Sequence, residues 1–173
     1  MKALGIIPSR YQSTRFPGKP LIDIAGKTMI QRVYEQAVKS SLLNEVIVAT
    51  DDQRIFDHVK SFGGNVMMTS TEHANGTLRC GEVIKNKTGF DVVINIQGDE
   101  PLVKPEQLDK LLELFHNPST EIATVVKRLH DSKDIENENR IKVVLDHQKN
   151  ALYFSRSAIP FVQGKQTSHW PEA

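Results

Sequence analysis

A single cysteine, Cys80, leaves the chain without an internal disulfide, and no N-terminal segment joins basic residues to a long apolar stretch and a cleavage site. Both absences predict a cytoplasmic protein. The longest apolar runs are strand-sized, far short of the roughly 20 residues that a membrane helix needs, so no membrane partner is expected. With 22 Lys and Arg against 21 Asp and Glu, the formal charge is +1. No global positive field exists to attract a nucleic acid, and any anion site has to be local. Six histidines show neither HxxxH nor HExxH spacing, which sets aside a histidine-based zinc site. What remains, at 39% hydrophobic and 25% charged residues, is the composition of one globular domain large enough to bury its own core.

Internal repeats, low-complexity tracts and Gly/Ser linkers are also missing, so element order becomes the informative signal. The continuous apolar runs at residues 3–7 (ALGII), 45–50 (EVIVAT) and 91–96 (DVVINI) lack in/out alternation, as strands covered on both faces do. Between them lie helical patterns. In TMIQRVYEQAVKS, Met29, Ile30, Val33, Tyr34, Ala37 and Val38 make one stripe. DDQRIFDHVKSFGG supplies a carboxylate cap, a stripe of Ile55, Val59 and Phe62, and a double-glycine stop. KPEQLDKLLELFH puts Pro105 in a first turn and aligns Leu108, Leu111, Leu112 and Phe115. This order predicts an α/β fold with a mixed, mainly parallel central sheet. From about residue 120, EIATVVKRL, RIKVVLD and ALYFS predict more exposed, partly antiparallel strands added to that sheet, the last two joined by the turn HQKN. With no linker before it, this part is expected to be a subdomain of a single domain.

Ligands of open α/β sheets bind outside the carboxyl ends of the strands, and the first strand empties into IPSRYQSTRFPGKPL. Pro8, Pro17 and Pro20 restrain that loop, Gly18 permits close backbone approach, and Arg10, Arg15 and Lys19 can converge on a triphosphate. The alternative is a solvated loop whose charges only confer solubility. GxxxxGK[ST] is absent and Lys19 precedes proline, which points away from the phosphate-hydrolysing NTPases. The third apolar run ends in NIQGDEP, where Asp99 is the better placed carboxylate for a hard divalent ion and Glu100, before proline, the more structural one. A turn aspartate that caps backbone is the competing reading of Asp99. Cations on one strand end and a carboxylate on another suit nucleotidyl transfer, which needs no nucleophilic serine or cysteine. Cys80 is expected to be a core residue on a helix.

IPSRYQSTRFPGKPL, VIVATDD, HANGTLR, VVINIQGDEP, RIKVVLD and ALYFSRSAIPF resemble, in order and spacing, the bacterial 3-deoxy-manno-octulosonate cytidylyltransferases, or CMP-Kdo synthetases. The resemblance implies a three-layer fold of the nucleotide-diphosphosugar-transferase type, CTP as donor, Kdo as acceptor, Mg²⁺ as cofactor and a cytoplasmic homodimer serving lipopolysaccharide synthesis. It implies that residues 1–118 bind the nucleotide and 119–173 the sugar and a second subunit. Arg10, Arg15 and Lys19 would hold the phosphates, Arg10 and Lys19 acting with Asp99 in catalysis, and Asp99 would bind magnesium. Gln97 would lie near the reacting hydroxyl. Arg156 would meet the acidic sugar, an arginine fork matching a carboxylate, unless it makes a surface ion pair. Asn75 and Arg79 would face the nucleotide; a helix-surface arginine is the alternative for Arg79. Where the family has an acid, this chain has Leu78, which is expected to begin a helix's apolar stripe. The family's pattern runs on past Ala173 with another metal-binding aspartate and sugar contacts, so residues 1–173 alone are expected to fold imperfectly and turn over little. Another acidic sugar as acceptor, or a non-catalytic nucleotide-binding or dimerisation fragment, stays open on the sequence.

Overall fold

In a computed structural model, which describes residues 1–12, 16–129, 131–161 and 163, the chain divides into two compact units, Met1–Val125 and Val126–Ala173. The first is built on β1 (Ala3–Ser9), which pairs in parallel with β4 (Glu45–Thr50) on one side and β6 (Val92–Asn95) on the other. A short β5 (Val66–Met68) extends the sheet beyond β4, giving the order β5-β4-β1-β6, all parallel. Two-residue strands β2 (Asp23–Ile24) and β3 (Lys27–Thr28) form a separate antiparallel ladder.

Three helices cover one face. These are α1 (Met29–Ala37), α2 (Gln53–Ser61) and α4 (Pro105–Glu113); α3 (Gly76–Asn86) covers the other. The strands' period of two sorts the core accordingly. Ile7, Val46 and Val48 pack in one cluster with Ile30, Val33, Ile55, Val59, Leu108 and Leu112. Leu4, Ile6, Ile47 and Ala49 pack in the other with Cys80 and Val83. Each fully buried aliphatic side chain contributes about 1.5–3 kcal/mol, so the two-sided burial is what turns apolar runs into central strands. The three-layer α/β expectation is met.

The helix ends follow local chemistry. Thr28 Oγ1 accepts from the Gln31 N–H at 3.3 Å, Asp52 Oδ1 from Arg54 N–H at 3.0 Å, and Asn75 Oδ1 from Leu78 N–H at 2.9 Å. Beyond α2, Gly63 takes φ 79°, a turn that its missing side chain permits. Leu78 departs from expectation. It is 52% exposed, and the buried stripe of α3 is Arg79, Cys80 and Val83.

The stretch from residue 121 on also differs from expectation. Residues 121–129 form no strand, and Ile122 is 91% exposed; apolar, β-branched composition makes a strand only where a neighbouring edge accepts its hydrogen bonds. A short helix, α5 (Ser132–Glu136), follows. β7 (Lys142–Leu145) and β8 (Ala151–Ser155) do pair antiparallel, but as their own two-stranded sheet and not as an extension of the parallel one. The turn between them is closed by Asp146, whose Oδ1 accepts from the N–H groups of Gln148 at 2.8 Å and Asn150 at 2.7 Å. Buried Lys142 donates to the carbonyls of Asn137, Arg140 and Arg156, which ties the segment before β7 to the end of β8.

Candidate active site

Three loops leave the carboxyl ends of β1, β5 and β6, and two glycines bring them together at Pro8. A β-carbon on Gly76, at the start of α3, would lie 3.0 Å from Pro8 Cγ; one on Gly98, after β6, would lie 3.0 Å from the Pro8 carbonyl oxygen. Larger residues would push the loops apart. Two residues after Pro8, Arg10 crosses to the α3 side, its Nη2 donating to the His73 carbonyl at 2.5 Å. His73 is held in turn by its ring against Glu82, whose Oε2 also accepts from Ser70 N–H at 2.9 Å. The His73 bond, followed by that of Ser70, holds the Glu82 carboxyl below the usual carboxylate range.

The loop then closes on itself. Gly18, at φ 73°, donates its N–H to the Tyr11 carbonyl at 2.8 Å, and the turn delivers Lys19 into a 3₁₀ helix (Lys19–Leu21). Pro20 is buried there, anchoring the turn. Lys19 Nζ meets Asp99 Oδ2 at 2.6 Å, with the two side chains 38% and 52% exposed. The cation of the first loop and the carboxylate of the third are thus one exposed ion pair at the sheet's ligand end. Gln97 precedes Asp99 on the same loop, is exposed, and donates to Asn95 Oδ1 at 3.3 Å.

Asn75 is exposed and caps α3 through its carbonyl oxygen. Arg79 is not on the helix surface. It is fully buried, Nη2 donating to Asp51 Oδ2 at 2.5 Å and Nη1 to Thr69 Oγ1, which ties α3 to the ends of β4 and β5. Cys80, beside it, is a core thiol that burial pushes up to about 11. Arg156 belongs to the second unit; its exposed guanidinium donates to the Glu138 carbonyl at 2.9 Å. Arg15 lies outside the described residues. The sequence reading gave no role to Tyr11, Asp51, His73 or Glu82, whose contacts with Arg54, Arg79, Arg10 and His73 arise only on folding. For Arg79 a signal existed: it shares a helical stripe with Cys80 and Val83.

The cytidylyltransferase family profile matches residues 4–169. A 3-deoxy-manno-octulosonate cytidylyltransferase of Parabacteroides distasonis is 53% identical over 175 residues, covering 98% of this chain and 69% of that protein. One from Fusobacterium nucleatum is 51% identical, covering 93% of this chain and 66% of its own length. The chain belongs to the 3-deoxy-manno-octulosonate cytidylyltransferase family. Among solved structures, a CMP:2-keto-3-deoxy-manno-octonic acid synthetase complexed with CTP superposes with a TM-score of 0.91 at 42% identity, covering 95% of this chain and 68% of that one. This nucleotidyltransferase therefore carries the fold and family expected from its motifs. Among its described residues no helix is long and apolar enough to cross a membrane.

Proposed function

We propose that the chain transfers the CMP moiety of CTP to 3-deoxy-manno-octulosonate, releasing pyrophosphate, as the activation step that precedes incorporation of this sugar into lipopolysaccharide. The observation that carries the reading is the 2.6 Å pairing of Lys19 with Asp99, which sets the cationic loop beside a carboxylate at the ligand end of a parallel sheet. In the proposed complex, Arg10, Arg15 and Lys19 neutralise the triphosphate and fix it in line for attack. The sugar hydroxyl oxygen, positioned near Gln97, bonds to the α-phosphorus and gives up its proton to solvent water as the bond from that phosphorus to the oxygen bridging it to the β-phosphate breaks. Pyrophosphate then leaves with the electron pair, its charge matched by the same three cations. Asn75 lines the nucleotide side, and Arg79 serves that side by holding Asp51 and Thr69.

Asp99 also fits the role of a magnesium ligand. A single half-exposed carboxylate suits a hard ion that keeps water and phosphate oxygens as its other ligands, and no cage of three or more His, Cys, Asp or Glu exists among the described residues. When bound, Mg²⁺ would supply Lewis-acid stabilisation of phosphate charge. A homodimer in the cytoplasm completes the proposal. The homodimer is supported by the exposed apolar residues Leu152, Tyr153 and Phe154 on β8. The test is pyrophosphate release with CTP, Kdo and Mg²⁺ together. The expected result is release that needs all three, with CTP preferred over UTP. Release that ignores Kdo, or occurs only with a different acidic sugar, would overturn the assignment.

A further inference from the structure

The Arg54 side chain has been given no role at the site so far, yet it touches the base of the phosphate loop. It sits on the first turn of α2, exposed to solvent, with its guanidinium carbon 3.2 Å from the centroid of the Tyr11 ring. The guanidinium is itself gripped: Asp52, the cap of α2, accepts from Nε at 2.9 Å and from Nη2 at 2.7 Å. Tyr11 is the residue at which the loop closes, since its carbonyl takes the Gly18 N–H and its ring lies against Gly18, where an added β-carbon would come within 3.2 Å of Cζ and Oη. A continuous chain of contacts therefore runs from the capped end of α2 through Arg54 and Tyr11 to Gly18, and the next residue is Lys19.

We propose that Arg54 is a positioning residue for the triphosphate clamp, its cation–π contact with Tyr11 fixing the loop that presents Lys19 to the nucleotide. This rests on the proposed function, because the clamp has a purpose only if a triphosphate binds. Two features favour positioning over a surface contact of no consequence. The fork from Asp52 removes Arg54's freedom before it meets the ring, so little is lost on stacking. And the loop, with both its ends tied at Tyr11, has its orientation set by wherever that ring is held. Arg54 touches none of the reacting groups itself.

The test uses Arg54→Ala, Arg54→Lys, Tyr11→Leu and Tyr11→Phe in the full chain, with two readouts. One is the rate of tryptic cleavage at the Arg15–Phe16 bond, followed by mass spectrometry against the Lys85–Asn86 bond of α3 as an internal control. The other is CTP affinity by calorimetry. Arg54→Ala and Tyr11→Leu should each raise loop cleavage and the Kd for CTP by about three- to tenfold, as expected for losing a cation over an aromatic ring, with the control bond unchanged. Tyr11→Phe keeps the ring and should behave as wild type, and Arg54→Lys should recover part of the loss. Cleavage of Arg54→Ala at the wild-type rate overturns the proposal. So does faster cleavage with unchanged CTP affinity, or a loss in Tyr11→Phe as large as in Tyr11→Leu. A wild-type chain that fails to bind CTP would instead defeat the proposed function, while the cleavage rates would still decide whether Arg54 holds the loop.

Discussion

Replacing Arg79 by alanine should cost more stability than any other single polar change in the parallel unit. The side chain is fully buried and joins α3 to two strands through Asp51 and Thr69. Breaking a buried ion pair by removing one partner costs about 3–5 kcal/mol, because the other charge is left without compensation. Two features pull the figure to the lower end. Asp51 is 17% exposed, so water can reach its carboxylate, and Nε of Arg79 is buried with no hydrogen-bond partner, which already weakens the native arrangement. We expect about 3 kcal/mol. With a urea slope of about 2 kcal/mol/M, the unfolding midpoint should fall by about 1.5 M. Far-UV circular dichroism across a urea series measures it, and Arg79→Lys should fall between, since one ammonium cannot keep both partners. The double variant Asp51→Ala/Arg79→Ala should lose less than Arg79→Ala alone, because no carboxylate is then stranded. A midpoint shift below about 0.3 M would refute the reasoning, and Arg79 would then contribute little beyond filling space.

Lys19→Ala should weaken CTP binding by about 1–3 kcal/mol, the loss of a hydrogen bond to a charged group, and calorimetry showing unchanged affinity would remove it from the clamp. Asp99→Asn should leave the fold intact by circular dichroism but abolish pyrophosphate release across a magnesium titration, because an amide is a poorer ligand for a hard cation. Asp52 is held below its usual range, chiefly by the hydrogen bond from the Arg54 side chain, so its stabilising effect is full above the unfolded value near about 3.9 and fades as pH falls through its lower folded value. Asp52→Asn keeps the cap but not the charge, so its stability deficit in urea should be constant from neutral pH to about pH 5 and shrink below about pH 4. Cys80, pushed up to about 11 by burial, should resist alkylation at pH 8 in the native protein and react at once in urea, as a thiol-labelling time course would show.

The parts of this fold legible in the sequence are those where one physical requirement dominates. EVIVAT forms a strand with the expected ends, because a segment buried on both faces tolerates little else. The stripes of α1, α2 and α4 announce themselves by period, and Asp52, Pro105 and the glycine after α2 mark their ends. β5, at three residues, carries too short a pattern to separate from a loop. EIATVVKRL fails for the opposite reason: its composition favours a strand, but pairing depends on an edge that composition does not describe. At the site, the rule that ligands sit at strand ends was enough to bring Arg10, Lys19 and Asp99 under suspicion, whereas Gln97 came in through the family resemblance. The pairing of Lys19 with Asp99, the burial of Arg79 and the contact of Arg54 with Tyr11 are products of tertiary packing, invisible to local periodicity.

The seat of Pro8 between Gly76 and Gly98 has a consequence for anyone who would redesign the molecule. Enzymes of this architecture invite chimeras in which the segment after one strand is exchanged to alter the acceptor. Here such a segment cannot be treated as a free module, because its first turn bears on the carbonyl of the same proline whose ring meets the start of the helix on the other side. A graft that brings alanine to position 98 would meet the Pro8 carbonyl at 3.0 Å and shift the mount shared by its neighbours. Recombination at this site therefore succeeds or fails at these two glycines, and a library that fixes both should contain more folded members than one that varies them.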